Sequence, residues 1–238
     1  MIALFLDLEN KLYVWRLYTT FEITSPMSWG SWILLLIYPI LIVGMIIGLP
    51  DKYIEKYSFL RSIRTFFVTK TSRVKALGML YILFGVMLGM YTGVLLSSMG
   101  ARPLWSTSIL WVLFLSSGIS GGAALVHMIT KDKYESDLLL KADNIFLSIE
   151  LVVIIMMLVS LVSTSEVHMN AAMLLISGEY AIRFWVLVVG LGILVPLIIQ
   201  ILTVNNIVKH IVIAPIMVIL GGLALRFIIV AAGQLSHW

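Results

Sequence analysis

The sequence contains no cysteine. That excludes a disulfide, a thiolate metal site and a Cys-ligated iron–sulfur cluster held by this protein alone. Charge is scarce too: 12% of residues are Asp, Glu, Lys or Arg, against about 25% in an ordinary soluble domain. The net charge of +4 is no nucleic-acid signature, because most basic residues fall in segments that flank apolar runs. No nucleic-acid partner is expected. The sequence also lacks a phosphate-binding glycine loop, a dinucleotide fingerprint and a zinc-protease motif. Residues 1–6 are too short an apolar run, without a basic start, to read as a secretory signal.

What is present is apolar: 61% of the 238 residues are hydrophobic. One aqueous core cannot hide that much apolar surface, so lipid must solvate it. The expected fold is all-α, a polytopic transmembrane bundle of six complete helices in a single domain over residues 1–238. The helices are expected at about 29–49, 77–96, 108–127, 144–163, 181–203 and 211–233. Pro39 and Pro196 should kink the first and fifth. Residues 97–107 form a tight polar elbow between helices two and three, where Arg102, Pro103 and Trp105 suit a turn at the lipid headgroups. Helix two carries Gly85, Gly89 and Gly93 on one face, which lets another backbone approach closely. Residues 7–27 and 130–143 read as polar or charged connectors, 165–173 as a weakly polar one, and Ser28 as a helix cap.

Residues 51–75 interleave seven Lys/Arg with Tyr53, Tyr57, Phe59, Phe66 and Phe67. This is an amphipathic stretch expected to lie on the cytoplasmic membrane surface, against lipid. The connectors after helices one, three and five hold 11 Lys/Arg, and those on the other side hold 3. The positive-inside rule then puts 51–75 in the cytoplasm and both chain ends outside the cytoplasmic membrane.

Charges inside the hydrocarbon are the most informative residues, because each costs about 2.5–3.5 kcal/mol or more at mid-depth unless paired. There are three: Glu150, Arg183 and Arg226. Arg226 reads either as a donor to a bound ligand or as an inter-helix strut on a carboxylate or backbone carbonyls. Arg183 is placed to snorkel, with Glu179 four residues earlier able to pair with it. Glu150 reads as a proton relay or as a buried, hydrogen-bonded acid. Tyr91 is a phenol in a membrane helix, a packing or interfacial residue on sequence grounds. His127 and His210 raise the idea of a bis-His haem.

Four stretches carry a family resemblance. They are TSPMSWGSWILL (24–35), YTGVLLSSMGARPLWSTSILWVLFLSSGISGGAAL (91–125), SGEYAIRFWVLVVGLGILVPL (177–197) and LGGLALRFIIVAAGQ (220–234). In this order they resemble the NrfD-like, polysulfide-reductase type membrane subunits. The resemblance implies a quinone-interacting subunit of a respiratory oxidoreductase, exchanging electrons between membrane menaquinone or ubiquinone and an iron–sulfur subunit docked on the outer face. A molybdopterin or other catalytic subunit is implied beyond that, and no haem or metal in this protein itself. It raises Tyr91 and Arg226 as quinone-binding residues; Glu150, Glu179 and Arg183 stay, from the residue reading alone, as proton or ion-pair candidates. The family has two helices before the first one here, so the expectation is that this sequence lacks them and that another polypeptide or an upstream segment supplies them. Two other readings stand beside this one. A secondary transporter would explain kinked helices with buried charges, and a pure anchor would tether soluble partners without a quinone site.

Overall fold

The structure is a computed structural model, and it describes residues 22–130, 132–205 and 213–237 together with Trp15, Thr19 and Ile207. Among the described residues every regular element is helical. Among these residues six helices are long and apolar enough to cross a bilayer, as the hydropathy pattern predicts: α1 (Pro26–Gly48), α4 (Thr71–Ser98), α5 (Leu110–Ile129), α6 (Lys133–Thr164), α8 (Arg183–Val204) and α9 (Ile213–Leu235). Three shorter ones are α2 (Asp51–Lys56), α3 (Ser58–Val68) and α7 (Glu166–Ile176). The protein forms two compact units, residues 1–91 and 92–238, with the boundary inside α4.

In the first unit α1 begins earlier than the expected serine cap. Pro26 occupies its first turn, where a missing N–H costs nothing. Ser28 instead accepts a hydrogen bond from the Glu22 amide at 3.1 Å. Aromatic rings lie directly on glycines: Tyr91 on Gly30 and Tyr81 on Gly44. The Tyr81 hydroxyl also donates to the Ile40 carbonyl at 2.9 Å. As the backbone advances along α1 its partners retreat along α4, so the two helices run antiparallel.

The stretch 51–75 divides between three helices. Residues 71–75 already belong to α4, while α2 and α3 are joined by an Arg64–Asp51 ion pair at 2.6 Å. No residue of α3 is buried. Phe59 and Phe66 stay 73% and 56% exposed, which leaves this helix an unburied aromatic face. The Arg73 guanidinium lies 3.8 Å from the centroid of the Phe66 ring.

The second unit is built on α5, α6, α8 and α9, with α7 across one end. Its core centres on Leu110, Leu113, Met157, Phe184, Leu225 and Ile229. Where α8 crosses α9, Gly192 and Gly221 meet backbone to backbone; a methyl group on Gly192 would stand 2.7 Å from Gly221 Cα. Small residues allow this approach, which gains dispersion contacts where lipid offers no hydrophobic drive. Of the expected glycine face on α4, Gly93 abuts the backbone of Trp111, whereas Gly85 has no atom within 4 Å of where a methyl would lie.

Two expected connectors are helical. Residues 133–143 extend α6 because Asp132 caps its start, accepting from the Tyr134 amide. Lys133, Asp137 and Lys141 repeat at the four-residue interval that pairs opposite charges on a helix face. At 32 residues α6 runs about 48 Å, longer than the ~30 Å hydrocarbon layer. Residues 166–176 form α7, capped by Ser165. In α8 the twelve residues before Val195 are wound as a π-helix. Pro196 lacks the N–H that an α-helical carbonyl one turn earlier would use, and the wider winding shifts the bonding by one residue.

The elbow departs from expectation in one respect. Trp105 does not face headgroups; it is 7% exposed, its indole N–H donates to the Ile229 carbonyl at 3.0 Å, and its ring covers Gly233. Arg102 Nη1 donates to the Ser236 carbonyl at 3.0 Å. Ser106 and His168 Nε2 share a bond of 2.8 Å. The elbow, α7 and the end of α9 are therefore fastened at the same end of this unit.

Candidate functional site

Arg226 lies on α9, in the inner wall of the second unit. Its neighbour across the interface is the small-residue face of α5, where Ser117 and Gly118 leave room for a guanidinium. Nη1 donates to the Gly222 carbonyl one turn back at 2.9 Å. Nη2 donates to the Phe114 carbonyl of α5 at 3.3 Å, and the guanidinium carbon stands 5.6 Å from the Phe114 ring centroid. Two carbonyls and an aromatic face thus receive the charge, which makes a half-buried arginine tolerable in an apolar helix. Beside it a cavity of about 400 Å3 opens between α5 and α9, walled by Ser117, Gly118, Gly121, Gly222 and Arg226.

Glu150 approaches the same place from α6. It is 3% exposed, stands beside the Ser117 hydroxyl, and lies within electrostatic reach of Arg226 and of Asp143. Among the described residues, no ion pair within 4 Å involves Glu150 or Arg226. Ser117 of α5 adjoins both, and acid and guanidinium share a field without an ion pair.

One turn along α5 from Ser117 a second polar cluster follows. Ser120 donates to Asp143 Oδ1 at 2.6 Å, and Gln200 Nε2 of α8 donates to Asp143 Oδ2 at 2.7 Å. Asp143, Ser120 and Gln200 are 2%, 0% and 1% exposed. Among the described residues, Gln200 Oε1 and Asn144 Oδ1 are buried without a hydrogen-bond partner. Sequence reading missed this cluster by leaving Asp143 in a charged connector and Gln200 in an apolar helix. The available signal was the seven-residue spacing of Asp143 and Glu150, which puts both acids on one face of a helix.

The other expected residues have surroundings of their own. Tyr91 belongs to the first unit, where its half-buried ring sits over Gly30. Arg183 lies 5.5 Å from the centroid of the Tyr180 ring. The expected pair with Glu179 is not among the ion pairs, since Arg64–Asp51 is the one found within 4 Å among the described residues. At the α8 start Arg183 is exposed, within cation–π reach of the Tyr180 ring. His210, half of the haem idea, lies outside the described residues, as do Lys11 and Arg16 of the N-terminal connector.

Comparison with known proteins points to one family. The sequence matches the family described as Polysulphide reductase, NrfD, over residues 1–236. It is 32% identical to the Protein NrfD homolog of Haemophilus influenzae, an alignment that covers 99% of this sequence and 78% of that protein. It is 29% identical to the C polypeptide of the polysulfide reductase of Wolinella succinogenes, over 98% of this sequence and 77% of the other. With Protein NrfD of Escherichia coli the identity is 26%, over 99% and 78%.

Proposed function

Because the protein belongs to the NrfD polysulphide reductase family, we propose that this multi-pass membrane protein is the quinone-binding subunit of a respiratory oxidoreductase. In this reading it anchors the complex and exchanges electrons between a membrane menaquinone or ubiquinone and an iron–sulfur partner on the outer face. A molybdopterin or other catalytic subunit completes the assembly, and the protein sits in the cytoplasmic membrane with both ends outside. It supplies the binding surface, the hydrogen bonds and the path for protons. The redox centres belong to the partners.

The observation that carries the reading is Arg226 on the wall of the α5–α9 cavity, with Glu150 within electrostatic reach. An apolar slot with one cation and a few convergent polar groups suits a hydrophobic ring with polar carbonyls. The guanidinium has five N–H donors, so two backbone acceptors leave some for a quinone oxygen. Tyr91 is also proposed as a quinone-binding residue, on the family resemblance of the YTGV stretch alone.

A specific observation favours the anchor reading as well. Both Nη atoms of Arg226 already satisfy carbonyls that join α5 to α9, which is what a structural strut does. Purification of the intact assembly in mild detergent separates the two. Bound quinone, together with quinone-linked reduction or oxidation of a co-purifying iron–sulfur protein, supports the proposed function. Partners without bound quinone or quinone-linked turnover would reduce this protein to an anchor.

A further inference from the structure

The Asp143 cluster lies outside the proposed quinone contacts, and its charge does not balance. Among the described residues, the interior of the second unit holds two carboxyls, Asp143 and Glu150, and one guanidinium, Arg226. With all three ionised this set carries one uncompensated negative charge. An uncompensated buried ion costs several kcal/mol even after relaxation. Among the described residues, neighbouring elements offer no further Lys or Arg to cancel it. Toward the acids, α5 presents the hydroxyls of Ser116, Ser117 and Ser120, with His127 two turns beyond Ser120. From α8 come the Gln200 amide and Thr203, and α9 presents Arg226 alone. Hydrogen bonds from Ser120 and Gln200 stabilise a carboxylate but bring no net charge.

We propose that Asp143 and Glu150 hold one exchangeable proton between them and pass it along the inner face of α6 to the Arg226 cavity. The two acids are separated by roughly 10 Å along the helix axis at 1.5 Å per residue. Ser117 and Ser120 stand opposite that interval, one beside each acid. Gln200 reinforces the assignment. Its carbonyl oxygen is fully buried and unpartnered, an acceptor waiting beside the acid. If the Asp143 carboxyl takes the proton, a half-turn of the amide presents that oxygen to the new O–H and leaves no lone pair facing a lone pair. The same glutamine therefore fits either protonation state.

Only a proton moves. The O–H bond of the Asp143 carboxyl breaks as a water or the Ser120 hydroxyl takes the proton, and an O–H bond forms on the Glu150 carboxylate. The about 400 Å3 cavity exceeds the ~30 Å3 that one water occupies, so the last stretch from Ser117 to Arg226 can be hydrated. Asp143 lies ten residues into α6, whose extra length places it near one rim of the hydrocarbon layer. Refilling then comes from the water on that side. The destination rests on the proposed quinone reading: a quinone takes up two protons when reduced and returns them when its quinol is oxidised. The proton-holding site does not depend on it.

Infrared difference spectroscopy on the purified native assembly tests the site without any quinone. At neutral pH, wild type minus Asp143→Asn, and wild type minus Glu150→Gln, should each show loss of one protonated carboxyl C=O band that shifts in D2O. Removing either acid makes the charges balance. Arg226→Gln should add one such band. Loss of a carboxylate stretch in both acid variants, with no protonated band, would overturn the proposal. Asparagine keeps the size of Asp143 and an acceptor for Ser120, and Ser120→Ala offers a milder check if Asp143→Asn fails to assemble. In turnover, Asp143→Asn should slow quinone-linked activity at least tenfold with a larger solvent deuterium effect, while dye-linked activity persists. Unchanged quinone-linked turnover in both acid variants would overturn the route. The acid band in a wild-type assembly that binds no quinone would support the site and count against the functional reading alone.

Discussion

Replacing Arg226 with lysine is the sharpest perturbation of the proposed quinone site, because it keeps the charge and removes the fork. In wild type the guanidinium spans two carbonyls, Gly222 at 2.9 Å and Phe114 at 3.3 Å, and has N–H groups left over. A lysine ammonium is a point charge on a flexible stem and cannot reproduce that planar span. At least one charge-assisted hydrogen bond is lost, worth about 1.5–3 kcal/mol. If the remaining N–H groups hold a quinone oxygen, the loss falls on quinone affinity. At about 1.4 kcal/mol per factor of ten, affinity should drop roughly 10–100-fold. The assay is steady-state turnover of the intact assembly with a short-tailed quinone, resolving KM from kcat, beside turnover with a soluble dye. Quinone KM should rise while dye activity stays within about twofold of wild type. Arg226→Met would go further: it removes both carbonyl contacts, the one that fastens α9 to α5 included, and Glu150, deprived of its nearby cation, should take up a proton, so assembly yield should fall as well. Wild-type quinone kinetics in Arg226→Lys would refute the assignment and leave Arg226 as a strut.

Three other outcomes are expected. Tyr91→Phe removes one phenol hydroxyl and should weaken quinone about threefold to tenfold, in line with the ~0.5–1.5 kcal/mol of a neutral hydrogen bond, without loss of assembly. Since the sequence lacks cysteine, Ser62→Cys and Glu166→Cys are unique reporters at exposed positions; an impermeant thiol reagent on intact cells should label the second and spare the first, and the reverse would invert the proposed topology. At the α8–α9 crossing, Gly221→Ala should destabilise the detergent-solubilised protein by about 1–3 kcal/mol through overpacking, whereas Gly78→Ala, which meets nothing within 4 Å, should be neutral or slightly stabilising; equal thermal midpoints for the two variants would show that the crossing yields.

Spans were legible because the bilayer imposes one length and one polarity on every crossing segment. The first helix is expected at 29–49 and found as Pro26–Gly48; the sixth is expected at 211–233 and found as Ile213–Leu235. What hydropathy could not reveal is where a helix continues into water. Lys133 to Asp143 looks like a loop to an apolarity criterion, yet its charges recur at helical spacing and its start is capped. Trp105 was misjudged for a related reason. Tryptophan in an elbow is common at headgroups, but this one has a glycine beneath it, 128 positions later in sequence, and no local pattern announces such a partner.

The site was half legible, and the division follows the physics of single charges against clusters. Arg226 stands out because nothing polar surrounds it in sequence, so its cost is visible residue by residue. Asp143 does not: beside Lys141 and Asn144 its charge looks solvated, and only the packing of α5 and α8 onto that face removes it from water. Once α6 is known to be continuous through both acids, Asp143 and Glu150 fall on one stripe, and the facing residues read in turn as Ser120, Ser117 and then Arg226. The small residues of α5 therefore serve two ends. They let helices approach closely, and their hydroxyls line the interval between the acids. A leucine at Ser117 would satisfy the first requirement poorly and remove the second, so the same substitution should disturb packing and proton movement together. Alanine there keeps the packing and removes only the hydroxyl, which makes Ser117→Ala the variant that separates the two.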